Sequence, residues 1–186
     1  FVADGSYLLD KVELCSDEAD FTATQLAQYV RQKENSRWFS FFKIPLGTYS
    51  LAGRDTTKWI NRTLQRIGEK PVYYDTLQAR LSCEDLRVAM NNMGYMNARV
   101  VFNTKARGKK LKAIYTLLPG KPFMIDRFSY DIQDSIIADI LKPNLSQGFD
   151  ATHPRQFTVL ALDNERKRIT KILNDQGNYR FNKDYI

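Results

Sequence analysis

The stretch SCEDLRVAMNNMGYMNARVVFNTKARGKKLKAIYTLL, residues 82–118, holds a helix, a stop and a hairpin in that order. Ser82 with Asp85 has the spacing of a capping box. Leu86, Ala89, Met90 and Met93 then recur at helical intervals, so they predict one buried stripe. Gly94 ends that helix, because glycine takes the left-handed conformation a sharp helix stop requires. Tyr95 opens a strand that runs to about Thr104, and residues 105–109 read as a turn in which Gly108 adopts positive φ. In the return strand, Lys110 to Leu118, the residues Leu111, Ala113, Tyr115 and Leu117 share one face, with Lys110, Lys112 and Thr116 on the other. Helical and alternating patterns follow each other in blocks, which predicts an α+β fold.

Upstream, Ser6 to Leu14 reads as a strand whose alternation is imperfect: Tyr7, Leu8, Leu9, Val12 and Leu14 are apolar. Thr22 and Gln25 resemble a capping box, and Ala23, Leu26, Ala27 and Val30 predict a helix ending near Lys33. Residues 34–54 read as irregular and contain the aromatic cluster Trp38, Phe39, Phe41 and Phe42, either core or a patch for a partner or membrane; a helix from Asp55 to Ile67 and a short extended piece at Val72-Tyr73-Tyr74 follow.

Downstream, Pro119-Gly120-Lys-Pro122 breaks the chain and is the expected domain boundary. A strand from Phe123 to Ile132, a short helix from Asp134 to Leu141 and a long helix from Thr158 to Gln176 follow. The long helix is expected to bury Val159, Leu162, Ile169, Ile172 and Leu173, and Tyr179 to Ile186 is expected to begin a strand. The two halves repeat. Leu86, Met90 and Gly94 recur 83 residues on as Ile169, Leu173 and Gly177, each set followed by an aromatic. The expectation is two domains, 1–120 and 121–186, the second lacking its last strand, so that the chain reads as a fragment beginning at Phe1.

Composition narrows the chemistry. Lys and Arg number 28 against 21 Asp and Glu, a net charge of +7, with one His and two Cys. No apolar run reaches the roughly 20 residues of a membrane helix. The closest glycines are six apart, which excludes a dinucleotide-binding or phosphate loop. His153 reads as a surface-loop residue, and Cys15 and Cys83 as unpaired, partly buried thiols, with a disulfide as the alternative in an oxidising compartment. No catalytic constellation and no cofactor or metal site is expected, so the chain does not read as an enzyme.

With Tyr7-Leu-Leu-Asp-Lys-Val12, Tyr29-Val-Arg-Gln32, Gly68-Glu-Lys-Pro-Val-Tyr-Tyr-Asp75, Leu86…Gly94-Tyr95…Ala98-Arg-Val100, Pro119-Gly-Lys-Pro122 and Leu162-Asp-Asn-Glu-Arg166…Gly177, nearly the whole chain resembles tandem POTRA domains. These stand before the β-barrel of outer-membrane assembly factors of the BamA/TamA type, and the lipoprotein branch of TamA-like proteins is the most similar. Two features depart from the pattern: a long insertion at about residues 34–75 that enlarges the first unit, and Asn178 between Gly177 and Tyr179. The resemblance implies βααββ units, each a small mixed sheet packed on two helices. It implies a location at the periplasmic side of the outer membrane, a lipid anchor and a C-terminal barrel outside these residues. It implies a scaffold that binds unfolded outer-membrane proteins, or a periplasmic partner subunit, by strand addition. The edge strands it points to contain Tyr95, Ala98, Val100, Val101 and Phe102 in the first unit and Tyr179 and Phe181 in the second.

The alternative is a basic module for nucleic acid or anionic lipid. Lys105, Arg107, Lys109, Lys110 and Lys112 crowd one hairpin, and Arg166, Lys167, Arg168 and Lys171 one helix. The helix-helix-strand-strand order is shared with the KH fold, but no two glycines stand three apart as its loop needs, so nucleic acid is not expected and lipid contact remains.

Overall fold

The computed structural model describes residues 6–35, 70–148 and 155–186. The chain is an α+β protein with a small mixed sheet and several helices, and it divides into two compact units: Phe1–Ala89 with Arg99–Pro119, and Met90–Ala98 with Gly120–Ile186. The expected helix from Asp55 to Ile67, the cluster Trp38, Phe39, Phe41 and Phe42, and His153 lie outside the described residues.

The first unit is built on strands β1 (Leu8–Ser16), β2 (Arg99–Arg107) and β3 (Lys110–Leu118), in the order β1-β3-β2. β3 is central, parallel to β1 and antiparallel to β2. Leu111, Ala113, Tyr115 and Leu117 are all buried on one face of β3, as their alternation predicts. The irregular pattern of β1 has a structural cause: the register slips at Asp10, between Leu9 and Lys11. This bulge lets Leu9 and then Val12 and Leu14, three and five residues on, align with the buried residues of β3.

Helix α1 (Thr76–Asn92) meets that face at Ser82, which bonds Tyr115, and its buried residues are Ala79, Ser82, Leu86, Ala89 and Met90. It starts six residues before the expected cap at Ser82. Asp75 is the true cap, its carboxylate accepting from the N–H groups of Leu77 (2.8 Å) and Gln78 (3.3 Å). Ser82 instead sits inside the helix, where it donates to Gln78 O (2.8 Å), accepts from Arg31 N–H (3.0 Å) and shares a hydrogen bond with Tyr115.

The helix expected over residues 22–33 is a 3-10 helix, Ala23–Tyr29, and Thr22 makes no side-chain cap. Phe21, Leu26 and Val30 are buried but Ala27 is exposed, so no full α stripe is drawn inward. A bidentate pair then ties the following segment to α1, with Arg31 Nε and Nη2 at 2.5 and 3.1 Å from the Asp85 carboxylate.

The second unit holds the two-residue strands β4 (Met124–Ile125) and β5 (Arg155–Gln156), helices α2 (Ser135–Leu141) and α3 (Val159–Asp175), and short 3-10 turns at Lys142–Gln147 and Lys183–Tyr185. Asp134 caps α2 by accepting from Ile136 N–H (2.8 Å) and Ile137 N–H (3.2 Å), and Thr158 caps α3 by accepting from Ala161 N–H (3.1 Å). The strand expected from Phe123 to Ile132 shrinks to β4, whose only ladder partner among the described residues is the equally short β5. In the expected stripe of α3, Ile169 and Leu173 are buried, Leu162 and Ile172 are half-buried, and Val159 is exposed.

At the helix stops and the turns that follow them, the repeat at 83 residues holds at atomic detail. After α1, Gly94 N–H donates to Asn91 O and Tyr95 N–H to Met90 O; after α3, Gly177 N–H donates to Asn174 O and Asn178 N–H to Leu173 O. Both are Schellman stops, with φ of 96° and 92° at the two glycines. A further turn follows each, closed by Ala98 N–H on Tyr95 O and by Phe181 N–H on Asn178 O. Asn91 and Asn174 each bury an Oδ1 that has no partner among the described residues.

These turns correct two strand limits. Tyr95 and Ala98 spend their amides on the stop and the turn, so β2 begins at Arg99 and runs to Arg107. Tyr179 lies in the turn after Gly177 and Phe181 at its end, and Lys183–Tyr185 is a 3-10 turn, so no strand forms over residues 179–186. In the first unit β2 is held by β3, and no counterpart of β3 stands beside residues 179–186 among the described residues.

Candidate functional site: the open edge and outer face of the sheet

The two edges of the three-stranded sheet differ. Along β1, Leu9 N–H donates to Val72 O (2.8 Å) and Tyr74 N–H to Tyr7 O (2.8 Å), with Tyr73 bridged antiparallel to Leu8. Farther along, Val12 N–H donates to the Glu34 carboxylate (2.7 Å). Along β2 the only neighbour is β3, and no hydrogen bond reaches its outer edge among the described residues. An antiparallel strand at an edge leaves every second N–H and C=O pointing outward.

Of the expected edge residues, Val100, Val101 and Phe102 lie on β2. Phe102 packs against Tyr115 (ring centroids 4.9 Å apart) and stacks at 6.3 Å on Tyr74, whose place here the sequence pattern did not signal. Val100 and Phe102 are half-buried on the inward face, and Val101 is 43% exposed on the outward one. Ala98 is buried ahead of the strand, and Tyr95 precedes it.

The outer face of the sheet is polar and basic. The register sets Lys11, Lys112 and Lys105 in one row across all three strands, with Lys110 and Arg107 paired in the next. Like charges directly opposite each other weaken a sheet. Glu13 relieves the first row, bonded to Lys11 at 2.7 Å and Lys112 at 2.6 Å, and Asp10 stands 3.8 Å from Lys110. Arg99, Lys105 and Arg107 make no ion pair among the described residues.

The basic helix is different. On α3, Arg168 pairs with Glu165, Lys167 with Asp163 and Lys171 with Asp175, at 2.5 to 2.7 Å, while Arg166 donates to Lys183 O (2.7 Å). Its charge is spent on its own neighbours. Lys11 and Glu13 were not singled out in the sequence, because only the bulge at Asp10 turns them to this face.

Two carboxylates here report on pH. The hydrogen bonds from Lys11 and Lys112 lower the pKa of Glu13 to about 2, and those from Lys167 and Lys183 lower Asp163 to about 2. Both ordinary values are higher, so the stabilisation is fully present above the unfolded-state pKa and is lost as pH falls toward 2. In urea titrations at successive pH values, a Glu13→Gln/Asp163→Asn variant should show a shallower fall in stability between about pH 4.5 and 2 than the parent. The two should run parallel above pH 5. Both pairs are solvent-exposed, so the difference is modest.

The second unit offers a groove of about 550 Å³, lined by Ile132, Ile137, Leu162, Ile169, Leu173 and Phe181 among others. At its side Glu165 is buried, accepting from Tyr130 OH (2.6 Å) and from Arg168. The Arg168 contact lowers the Glu165 pKa despite burial. Phe181 lines this groove and Tyr179 is exposed in the turn before it. Cys15 and Cys83 are free; Cys15 is exposed, contrary to the partly buried reading, while burial pushes the Cys83 thiol up. Among the described residues no cluster of three His, Cys, Asp or Glu could hold a metal, and no helix is long and apolar enough to cross a membrane.

No protein-family model matches the chain, and no curated protein or solved structure matches it.

Proposed function

We propose that this chain is a scaffold region of an outer-membrane β-barrel assembly or translocation protein, working at the periplasmic side of that membrane and performing no chemistry. Its partners are unfolded outer-membrane proteins or a periplasmic subunit, received as an extended strand beside β2. One observation carries the reading: among the described residues β2 has an open edge, while β1, the other edge, is closed by Val72, Tyr74 and Glu34. Strand addition uses main-chain hydrogen bonds for affinity, so it accepts clients of varied sequence. Phe102 and Val100 add a half-buried apolar rim against which alternate client side chains pack. Lys105 also fits the ordinary role of a charge that keeps an edge from pairing indiscriminately.

The test is a photo-crosslinking amino acid at Val101 in the full chain, incubated with unfolded barrel-derived peptides. Lys11, on the closed-edge strand, is the comparison position. Crosslinks at 101 that exceed both the scrambled-peptide level and the signal at 11 support strand addition. Equal signals at the two positions, or none above scrambled peptide, overturn it.

A further inference from the structure

We propose that the outer face of the three-stranded sheet, at the hairpin end, docks on an anionic lipid surface. This inference does not depend on strand addition at β2. Lys11, Lys105, Arg107, Lys110 and Lys112 align there against two carboxylates, Asp10 and Glu13, an excess of three positive charges among the described strand residues, out of a chain total of +7. The arrangement works against the sheet's own stability. Lys105 faces Lys112 and Arg107 faces Lys110 directly across the ladder, and neither Lys105 nor Arg107 makes an ion pair among the described residues. A negatively charged partner relieves both pairs at once. The basic helix, by contrast, neutralises its own cations.

The same face distinguishes a membrane from a nucleic acid. Single-stranded nucleic acid binds sheets through aromatic side chains on which bases stack. Here Phe102 and Tyr115 align with the inward face, and none of the outward positions of the three strands is aromatic. The outward face carries Val101, Ile114 and Leu118 instead, beyond the basic rows. Cations clustered at the hairpin end, with Arg99 opposite Leu118 at the other, and aliphatic side chains between them match the boundary between headgroups and acyl chains. Each basic residue near an anionic surface adds about fivefold to binding, and salt screens the attraction.

The experiment is co-sedimentation of the full chain with vesicles of phosphatidylcholine alone or with 30% phosphatidylglycerol as the probe. Binding to the anionic vesicles only, weakening steeply with salt, is expected. Lys105→Glu/Arg107→Glu should bind at least thirtyfold more weakly. It should not melt below the parent, since it removes two like-charge pairings and no native ion pair. Lys121→Glu/Lys142→Glu makes the same change of net charge in the second unit and should bind within about threefold of the parent. Equal loss in both variants would reduce the effect to net charge and overturn the assignment. So would tighter binding to single-stranded RNA than to anionic vesicles, or equal binding to neutral ones.

Discussion

Gly94→Ala is expected to destabilise the protein by about 3 kcal/mol or more, while Gly177→Ala costs about 1–2 kcal/mol. The two glycines end equivalent helices, and both have φ above 90°, where a side chain strains the backbone. Their surroundings differ. A Cβ on Gly94 would overlap the carbonyl oxygen of Phe157, whereas nothing lies within 4 Å of a Cβ on Gly177. The Phe157 carbonyl cannot step aside easily. Phe157 N–H donates to Phe123 O, Phe123 N–H donates to Gly94 O, and the Gln156 side chain donates to Met93 O, each at 2.8 Å. The substitution therefore unpicks the β4–β5 corner as well as the helix stop. Urea unfolding would measure the totals, and amide exchange at Phe123 and Phe157 the location. Equal costs at the two positions would show that φ strain alone matters.

Leu86→Ala is expected to cost about 3–4 kcal/mol and Ile169→Ala about 1–2 kcal/mol, although the residues are repeat partners. Leu86 is wholly buried, on the helix face whose Ser82 meets Tyr115 of β3. Truncation there leaves a void that a hydrogen-bonded sheet cannot close. Ile169 is nearly as buried, but it forms a wall of the 550 Å³ groove. Neighbouring side chains or water enter the space, so the cavity contribution is small. Denaturation of both variants under one condition would compare them. A larger loss at Ile169 would mean that this groove is closed by something packed as firmly as the sheet.

Both comparisons start from the same repeat, and how far it was readable differs by level. The buried face of α1, at Ala79, Ser82, Leu86, Ala89 and Met90, recurs 83 residues on as Leu162, Glu165, Ile169, Ile172 and Leu173. Apart from Ala79, which precedes the expected start at Ser82, the apolar members and the glycine stops were visible in the residues. Ser82 and Glu165 were not, because a polar residue on an inward face is recognised only by its partners: Tyr115 and Arg31 for one, Tyr130 and Arg168 for the other. Likewise Ser82 satisfies a capping pattern that the earlier cap at Asp75 overrides.

The amino-acid sequence by itself determined the α+β class, the two helix-glycine stops, the hairpin at Gly108 and the alternation that buries Leu111, Ala113, Tyr115 and Leu117. Each follows from period, propensity or the conformational freedom of glycine, which act over a few residues. Only the tertiary structure decided which strand edge is open, that a bulge at Asp10 brings Lys11 into line with Lys112 and Lys105, and that the cations of α3 are already neutralised. Those properties depend on which distant segments meet. A strand's pattern says which face it buries, but not which neighbour takes its hydrogen bonds, and a charge counted in the chain has no local sign until its partners are in place.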